Sequence, residues 1–249
     1  MRRLFLLIIL TSFFLACKKD NENREQTTFR SKGYTDDLYY AGSNTHKYTH
    51  TTITYDEQGR MTMVQDDASP SRKTINTYPS ENIMVYKHYD GTYLAQHEVY
   101  FINVQKEIDS AVGIYLGNEY DTVQFMKYVY DNSNRLVKVL RSYKSDVDGQ
   151  ILPDSPYLYE YDSKGNATKQ SYPGTTYENT YYLDQPNLTP VPSLFGTPSP
   201  NLLKTQSLHL LDTTLNYRHT YLFDNVGRLV NDTTWLETMD GYGVRTYLY

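Results

Sequence analysis

The chain has little of what most catalytic and membrane-embedded sequences depend on. One cysteine among 249 residues excludes an intrachain disulfide and a cysteine-rich metal site. Past the first 16 residues, no apolar run approaches the roughly 20 residues of a membrane-spanning helix. A formal net charge of -5 leaves no basic footprint for nucleic acid, so no nucleic-acid partner is expected. The sequence contains no Gly-x-Ser-x-Gly elbow, Walker loop, dinucleotide fingerprint or His-Glu-x-x-His pair. Neither a catalytic residue nor a cofactor nor a metal is therefore assigned. His46 and His50 are four apart; on a helix they would share a metal, but their Thr- and Tyr-rich surroundings read as strand, where that spacing is about 13 Å.

What the chain does have is tyrosine: 27 Tyr stand against 8 Phe and one Trp. That much aromatic surface can bury a core, which argues against disorder. A phenol also packs its ring while wetting its hydroxyl, so a Tyr-rich sheet tolerates a half-solvated face.

The N-terminus reads as an address. Arg2 and Arg3 precede an apolar stretch from Leu4 to Ala16, which ends Phe14-Leu15-Ala16-Cys17. This is a positive n-region, an h-region and a small residue before cysteine. It resembles a bacterial lipobox, with Phe14 where Leu is commoner. Residues 1–16 are expected to be a lipoprotein signal peptide, and Cys17 to be lipidated and to anchor the chain to the outer membrane. Residues 17–30 are polar and charged and read as a flexible tether, or equally as a short export signal for the cell surface. The anchored domain would then face either the outside or the periplasm.

Four segments share a pattern: Tyr55-Asp56-Glu57-Gln58-Gly59-Arg60-Met61, Tyr130-Asp131-Asn132-Ser133-Asn134-Arg135-Leu136, Tyr161-Asp162-Ser163-Lys164-Gly165-Asn166-Ala167 and Phe223-Asp224-Asn225-Val226-Gly227-Arg228-Leu229. Asp opens a turn by bonding backbone N–H groups ahead of it. Gly59, Gly165 and Gly227 supply the left-handed residue that closes the loop, and Asn134 is the substitute that visits that region most readily. The aromatic spacings of 75, 31 and 62 residues make the repeat irregular. Asp-Gly pairs at 90–91, 148–149 and 240–241 and Pro turns at 78–82 and 172–174 fill the gaps.

Between the turns lie β-rich runs at 46–55, 60–65, 72–78, 83–89, 92–104, 121–130, 135–142, 166–172, 176–183, 207–223, 228–237 and 243–249. Only Asn201-Leu202-Leu203-Lys204 hints at a helical turn. The expected fold is all-β: a strongly curved antiparallel meander, barrel-like or half-barrel, with many short hairpins. Residues 31–249 form one Tyr-rich domain, interrupted by a Pro-rich loop at 184–200 that holds five of the ten prolines. That loop reads as a crossover plugging one end of the sheet, with Leu194, Phe195, Leu202 and Leu203 as anchors. Asp36-Asp37 and Asp66-Asp67 lack calcium-loop spacing and read as solvated turns. A transmembrane barrel is disfavoured, because segments such as Arg72-Lys73-Thr74-Ile75-Asn76-Thr77 lack the outward apolar band.

The Tyr-Asp hairpins resemble the YD repeats of Rhs-type secreted proteins, which build β-shells. Together with the lipobox and the segments Tyr182-Leu183-Asp184-Gln185-Pro186-Asn187 and Gly196-Thr197-Pro198-Ser199-Pro200-Asn201-Leu202-Leu203, the chain is similar to a family of uncharacterised secreted lipoproteins. That family carries a domain of unknown function with a porin-like fold. The resemblance implies a curved antiparallel sheet and brings no catalytic residue with it. The functional expectation is a non-enzymatic binding module for a glycan or protein ligand, with Trp235, Tyr217 and Tyr221 as binding residues. A hydrolase of extracellular polymers and a purely structural envelope component are the alternatives.

Overall fold

The structure is a computed structural model and describes residues 31–40, 45–67, 69–116, 121–187, 199–237 and 241–249. The segments expected to be a signal peptide and a tether lie outside the described residues with Cys17, as does 188–198 of the Pro-rich loop. Sixteen strands follow one another: β1 (Gly33–Tyr40), β2 (Thr45–Tyr55), β3 (Met61–Asp66), β4 (Lys73–Ser80), β5 (Ile83–Asp90), β6 (Tyr93–Ile102), β7 (Ile108–Leu116) and β8 (Asp121–Tyr130). The second half adds β9 (Leu136–Lys144), β10 (Ile151–Tyr161), β11 (Ala167–Tyr172), β12 (Thr175–Pro186), β13 (Asn201–His209), β14 (Thr214–Phe223), β15 (Leu229–Leu236) and β16 (Gly241–Leu248). Every strand pairs antiparallel with its chain neighbours, and β1 pairs with β16, so the sheet closes as a barrel. Closure removes the two exposed edges that an open meander would keep.

The barrel corrects several expectations. Asn201 to Lys204 is not a helical turn but the start of β13, where Leu203 pairs with Tyr181 and Leu202 with Tyr182. Asp36 and Asp37 are not in a turn; they sit within β1, one on each face. The run 207–223 is two strands, split by a turn at 210–213. Pro79 lies inside β4, and the turn that follows is Glu81-Asn82. Strands β1, β7 and β10 are additions to the expected runs.

Since turns alternate between the two ends, all hairpins leaving even-numbered strands lie at the end that holds both sheet termini. The four repeats are the turns β2–β3, β8–β9, β10–β11 and β14–β15. Their irregular spacing is thereby resolved: 75, 31 and 62 residues are the lengths of three, one and two hairpins. In each turn the Asp carboxylate accepts the backbone N–H four residues on at 2.8–3.0 Å. Its second oxygen accepts Arg60, Arg135 or Arg228 Nε, or Asn166 Nδ2, at 2.6–2.9 Å. Gly59, Gly165, Gly227 and Asn134 all have positive φ. A fifth copy, at β6–β7, is hidden in the sequence. Asn103 Oδ1 accepts Glu107 N–H at 2.9 Å, Asn103 Nδ2 donates to Glu107 Oε2 at 3.2 Å, and Lys106 takes the left-handed position at φ 66. The backbone bond is the same as in the Asp turns, while in the side-chain bond donor and acceptor have changed places.

The tyrosines of this end staple the hairpins to one another. Each donates its hydroxyl to the carbonyl where the preceding odd-numbered strand begins. Tyr55 bonds Ser31, Tyr78 bonds Met61, Tyr130 bonds Ile108, Tyr161 bonds Leu136, Tyr181 bonds Ala167 and Tyr249 bonds Leu229, all between 2.7 and 3.0 Å. The ring skips β6 and β14, whose corresponding residues Ile102 and Phe223 have no hydroxyl. Beneath the ring, Ile108, Leu202, Leu229, Asn166 and Ser31 are fully buried. The end that carries the termini is therefore packed.

Candidate binding site in the barrel lumen

Alternation along each strand sends one set of side chains inward and the other outward. The inward set follows from the register. Asn76 pairs with Tyr86, Tyr86 with Glu98 and Glu98 with Gly113. Tyr128 pairs with Val139 and Val139 with Tyr157. A cluster of Met84, Tyr100, Ile108, Ala111, Tyr128, Leu136 and Val139 fills the lumen on the β5–β9 side. Against it opens a cavity of about 420 Å³, whose aromatic lining is Tyr128, Tyr157, Tyr159, Tyr161 and Tyr172, with Gln170 and Ser199 adding polar groups. The chemistry of this lining is that of rings with hydroxyls, suited to stacking and hydrogen bonding together.

The rings hold one another. Tyr172 lies 4.6 Å from Tyr157 and 5.7 Å from Tyr177, both edge to face, and Arg141 sits 4.5 Å above Tyr157. Burial pushes the Tyr128 and Tyr159 hydroxyls well above their ordinary range, with Glu98 adding for Tyr128 and the bond to Tyr172 for Tyr159. These phenols therefore meet a ligand as neutral donors and acceptors. Beside them Glu98, 3% exposed, accepts the Tyr115 hydroxyl at 2.5 Å and the Tyr100 hydroxyl as well. A Cβ on Gly113 would come within 3.2 Å of the Glu98 side chain, so this glycine is what lets the carboxylate lie flat against β7.

On the opposite wall charges are matched. Arg245 grips Asp36 through two bonds of 2.8 and 3.0 Å and lies 4.0 Å over Tyr34. Asp36 and Arg245 line a second, smaller lumen cavity of about 220 Å³ with Leu38, Asp232 and Thr234. Two buried lumen-side atoms, Asn76 Oδ1 and His219 Nε2, have no protein partner among the described residues.

The residues expected to bind are divided between the two faces. Tyr217 and Tyr221 point inward on β14, and Tyr221 stacks with His219 at 6.3 Å. Trp235 pairs with Arg218 on the outward face and is 37% exposed. One ligand cannot touch all three. His46 and His50 are both on β2 and face out, each on its own carboxylate: Asp37 at 2.9 Å and Asp67 at 2.9 Å. The cavity residues Tyr157, Tyr159 and Tyr161 were absent from the sequence expectation. Their strict i, i+2, i+4 spacing is the signal that marks them, and Pro153 and Pro156 obscured it.

The outer wall is one-sided in its apolar content. On β5–β8 it presents Val85, Val99, Val112, Ile114, Val123 and Phe125 with Lys87, His97 and Lys127 among them, while on β10–β13 it presents Glu160, Lys169, Glu178, Thr180, Thr205 and Ser207. The latter line a polar groove.

Solved structures share this architecture, among them two porin-like proteins. A porin-like protein from Bacteroides uniformis aligns with a TM-score of 0.61 at 13% identity, covering 88% of this chain and 98% of its own. A porin-like protein from Bacteroides vulgatus aligns with a TM-score of 0.56 at 12% identity and the same coverages. The barrel is porin-like in fold. No protein-family model and no curated protein matches the chain.

Proposed function

We propose that this protein is a lipid-anchored, outer-membrane β-barrel that works as a non-enzymatic binding module, holding a ligand in its tyrosine-lined lumen. The observation that carries the reading is the cavity of about 420 Å³ walled by five tyrosines. Rings that already stack, with neutral hydroxyls at their tips, recognise a small ligand that offers both an apolar face and hydrogen-bonding groups. The packed termini end makes the barrel a cup rather than an open pipe. The one-sided outer wall supports an anchor at Cys17 over a spanning barrel. Glu160, Lys169, Glu178 and Arg218 face outward, and a charged group facing lipid costs about 2–4 kcal/mol at the bilayer midplane for Lys or Arg.

The test has two arms. Palmitate labelling in a bacterial host is expected for the full chain and lost in Cys17→Ser. Thermal-shift screening of the purified domain against mono- and disaccharides and short peptides is expected to find a stabilising ligand, whose effect disappears in Gln170→Trp, which fills the cavity. Steady ionic conductance in planar bilayers would overturn the cup in favour of a pore. Absence of any stabilising ligand in both pools would overturn the binding role.

A further inference from the structure

The outer wall carries an aromatic ladder that no repeat motif contains. The register places Arg218 beside Trp235, Trp235 beside Tyr242, Tyr242 beside Tyr39 and Tyr39 beside His46, on the five consecutive strands β14, β15, β16, β1 and β2. The side chains use that adjacency. Ring centroids step 5.2 Å from Trp235 to Tyr242, 5.2 Å on to Tyr39 and 4.9 Å on to His46, with interplanar angles of 43°, 32° and 43°. Tyr48 extends the row, stacked on His46 at 5.8 Å and 10°. The Arg218 guanidinium caps the other end, 5.4 Å from the Trp235 ring. Across four inter-strand gaps the row is about 19 Å long, and its ends are open: Tyr48 is 68% exposed and Trp235 37%.

Cross-strand ring pairs add about 0.2–1 kcal/mol each to a sheet, which does not require a continuous exposed row spread over both sides of the barrel closure. The surroundings narrow what would lie on it. The polar groups along the row already have partners, Asp37 bonding His46 at 2.9 Å and Arg218 lying 3.7 Å from Glu237, so its one guanidinium is already matched by a carboxylate rather than offered to an anion. The next outward rows are Asp37, Val244, Thr233 and Thr220, then Thr35, Thr246, Asn231 and Leu222, so carboxylate, hydroxyl and amide groups outnumber the two aliphatic ones. Hydroxyl and amide groups beside a line of rings do not suit lipid chains, which would strand them. They do suit a pyranose chain, whose apolar C–H faces stack on rings while its hydroxyls hydrogen-bond at the edge. The geometry points to a binding platform for an extended, uncharged polysaccharide on the outer wall across β14–β2, separate from the lumen and independent of whether the lumen holds a ligand.

The chain has one tryptophan, and it lies in this row, so its emission reports on the platform alone. The experiment is native affinity electrophoresis of the barrel domain in gels containing hydroxyethylcellulose, galactomannan, laminarin or dextran, with polygalacturonate as the anionic counterpart. Tryptophan emission is titrated with the same polymers. Retardation by at least one neutral polymer is expected, with a shift of tryptophan emission. Affinity should fall at least tenfold in Trp235→Ala and in Tyr39→Ala. Trp235→Phe and Tyr39→Phe, which keep a ring and the fold, should retain most of it, and Phe101→Ser on the opposite outer wall should retain all of it. Retardation by none of the neutral polymers, retardation by polygalacturonate alone, or retardation that survives Trp235→Ala combined with Tyr39→Ala would each overturn the assignment.

Discussion

Tyr161 donates its hydroxyl to the Leu136 carbonyl at 2.8 Å while Arg135, fixed by Asp131, lies 4.9 Å over its ring. One hairpin's turn arginine and one strand's first carbonyl are thus both held by the tyrosine of the next repeat. The same arrangement recurs at Arg60 over Tyr78 and at Arg228 over Tyr249. The tyrosine of the motif is therefore an inter-hairpin clasp, not only a strand end. Tyr161→Phe is expected to lower stability by about 1 kcal/mol, the net value of one hydrogen bond. Urea denaturation should show a lower midpoint at unchanged slope. An unaltered midpoint would mean that the clasp contributes nothing.

The left-handed turn position offers a paired prediction of opposite sign. Gly165 sits at φ 91 and Lys106 at φ 66 in equivalent turns. A side chain in that conformation costs about 1 kcal/mol, so Gly165→Ala should destabilise by roughly that amount. Lys106→Gly should stabilise by a similar amount, less the small exposed ion pair to Glu81 at 3.0 Å that it gives up. Thermal midpoints of the two variants moving in the same direction would contradict the shared turn geometry.

Much of this end of the barrel was legible in the sequence, because turn chemistry is local. An Asp and a Gly three residues on determine the loop regardless of what surrounds it. The copy at 103–107 was not legible, since Asn103 replaces Asp, its side-chain bond to Glu107 runs with polarity exchanged, and Lys106 stands where Gly is expected. Strand β10 was hidden by Pro153 and Pro156; Pro156 falls where the register with β9 shifts between Asp154 and Tyr157, while Pro153 stays opposite Ser142. Which aromatics meet was the least legible of all. Trp235 and Tyr242 meet across the β15–β16 hairpin, but Tyr39 joins them only through the β1–β16 closure, a pairing between the two ends of the domain that no local pattern encodes.

The turn carboxylates make acid stability predictable in sign. Bonds from Arg135 hold Asp131 below its ordinary 3.8. For Asp56, Asp162 and Asp224, burial pulls the other way but is outweighed by the hydrogen bonds each carboxylate accepts. A carboxyl whose pKa is lowered on folding stabilises the fold above its unfolded pKa, and that contribution fades as pH falls through the folded value. Stability measured by urea denaturation is therefore expected to decline from about pH 4 downward. Asp162→Asn keeps an oxygen acceptor for the Asn166 N–H but cannot titrate. It should be less stable at neutral pH and show a shallower acid decline; an unchanged pH profile would remove this turn from the account.

Buried tyrosines, the clasp residue Tyr161 and Tyr247 beside Arg245, give the opposite dependence at the alkaline side. Burial raises Tyr161 to about 12, with Asp131 adding and Arg135 opposing. It likewise raises Tyr247 to about 12, with Asp232 adding and Arg245 opposing. A phenol whose pKa is raised on folding is held neutral by the fold. Its contribution is complete below the unfolded value near 10 and is lost as pH climbs toward 12. Phenolate absorbance of the native protein should accordingly lag that of the urea-unfolded chain, and stability should fall across that window. Arg135 supplies the internal control. Its positive charge favours the Tyr161 phenolate, so Arg135→Gln should move the late phase of the native titration higher, even though the same substitution releases the Asp131 turn. A late phase that does not move would mean that the guanidinium over the ring exerts no field on the hydroxyl, and that the stacking at this clasp is packing alone.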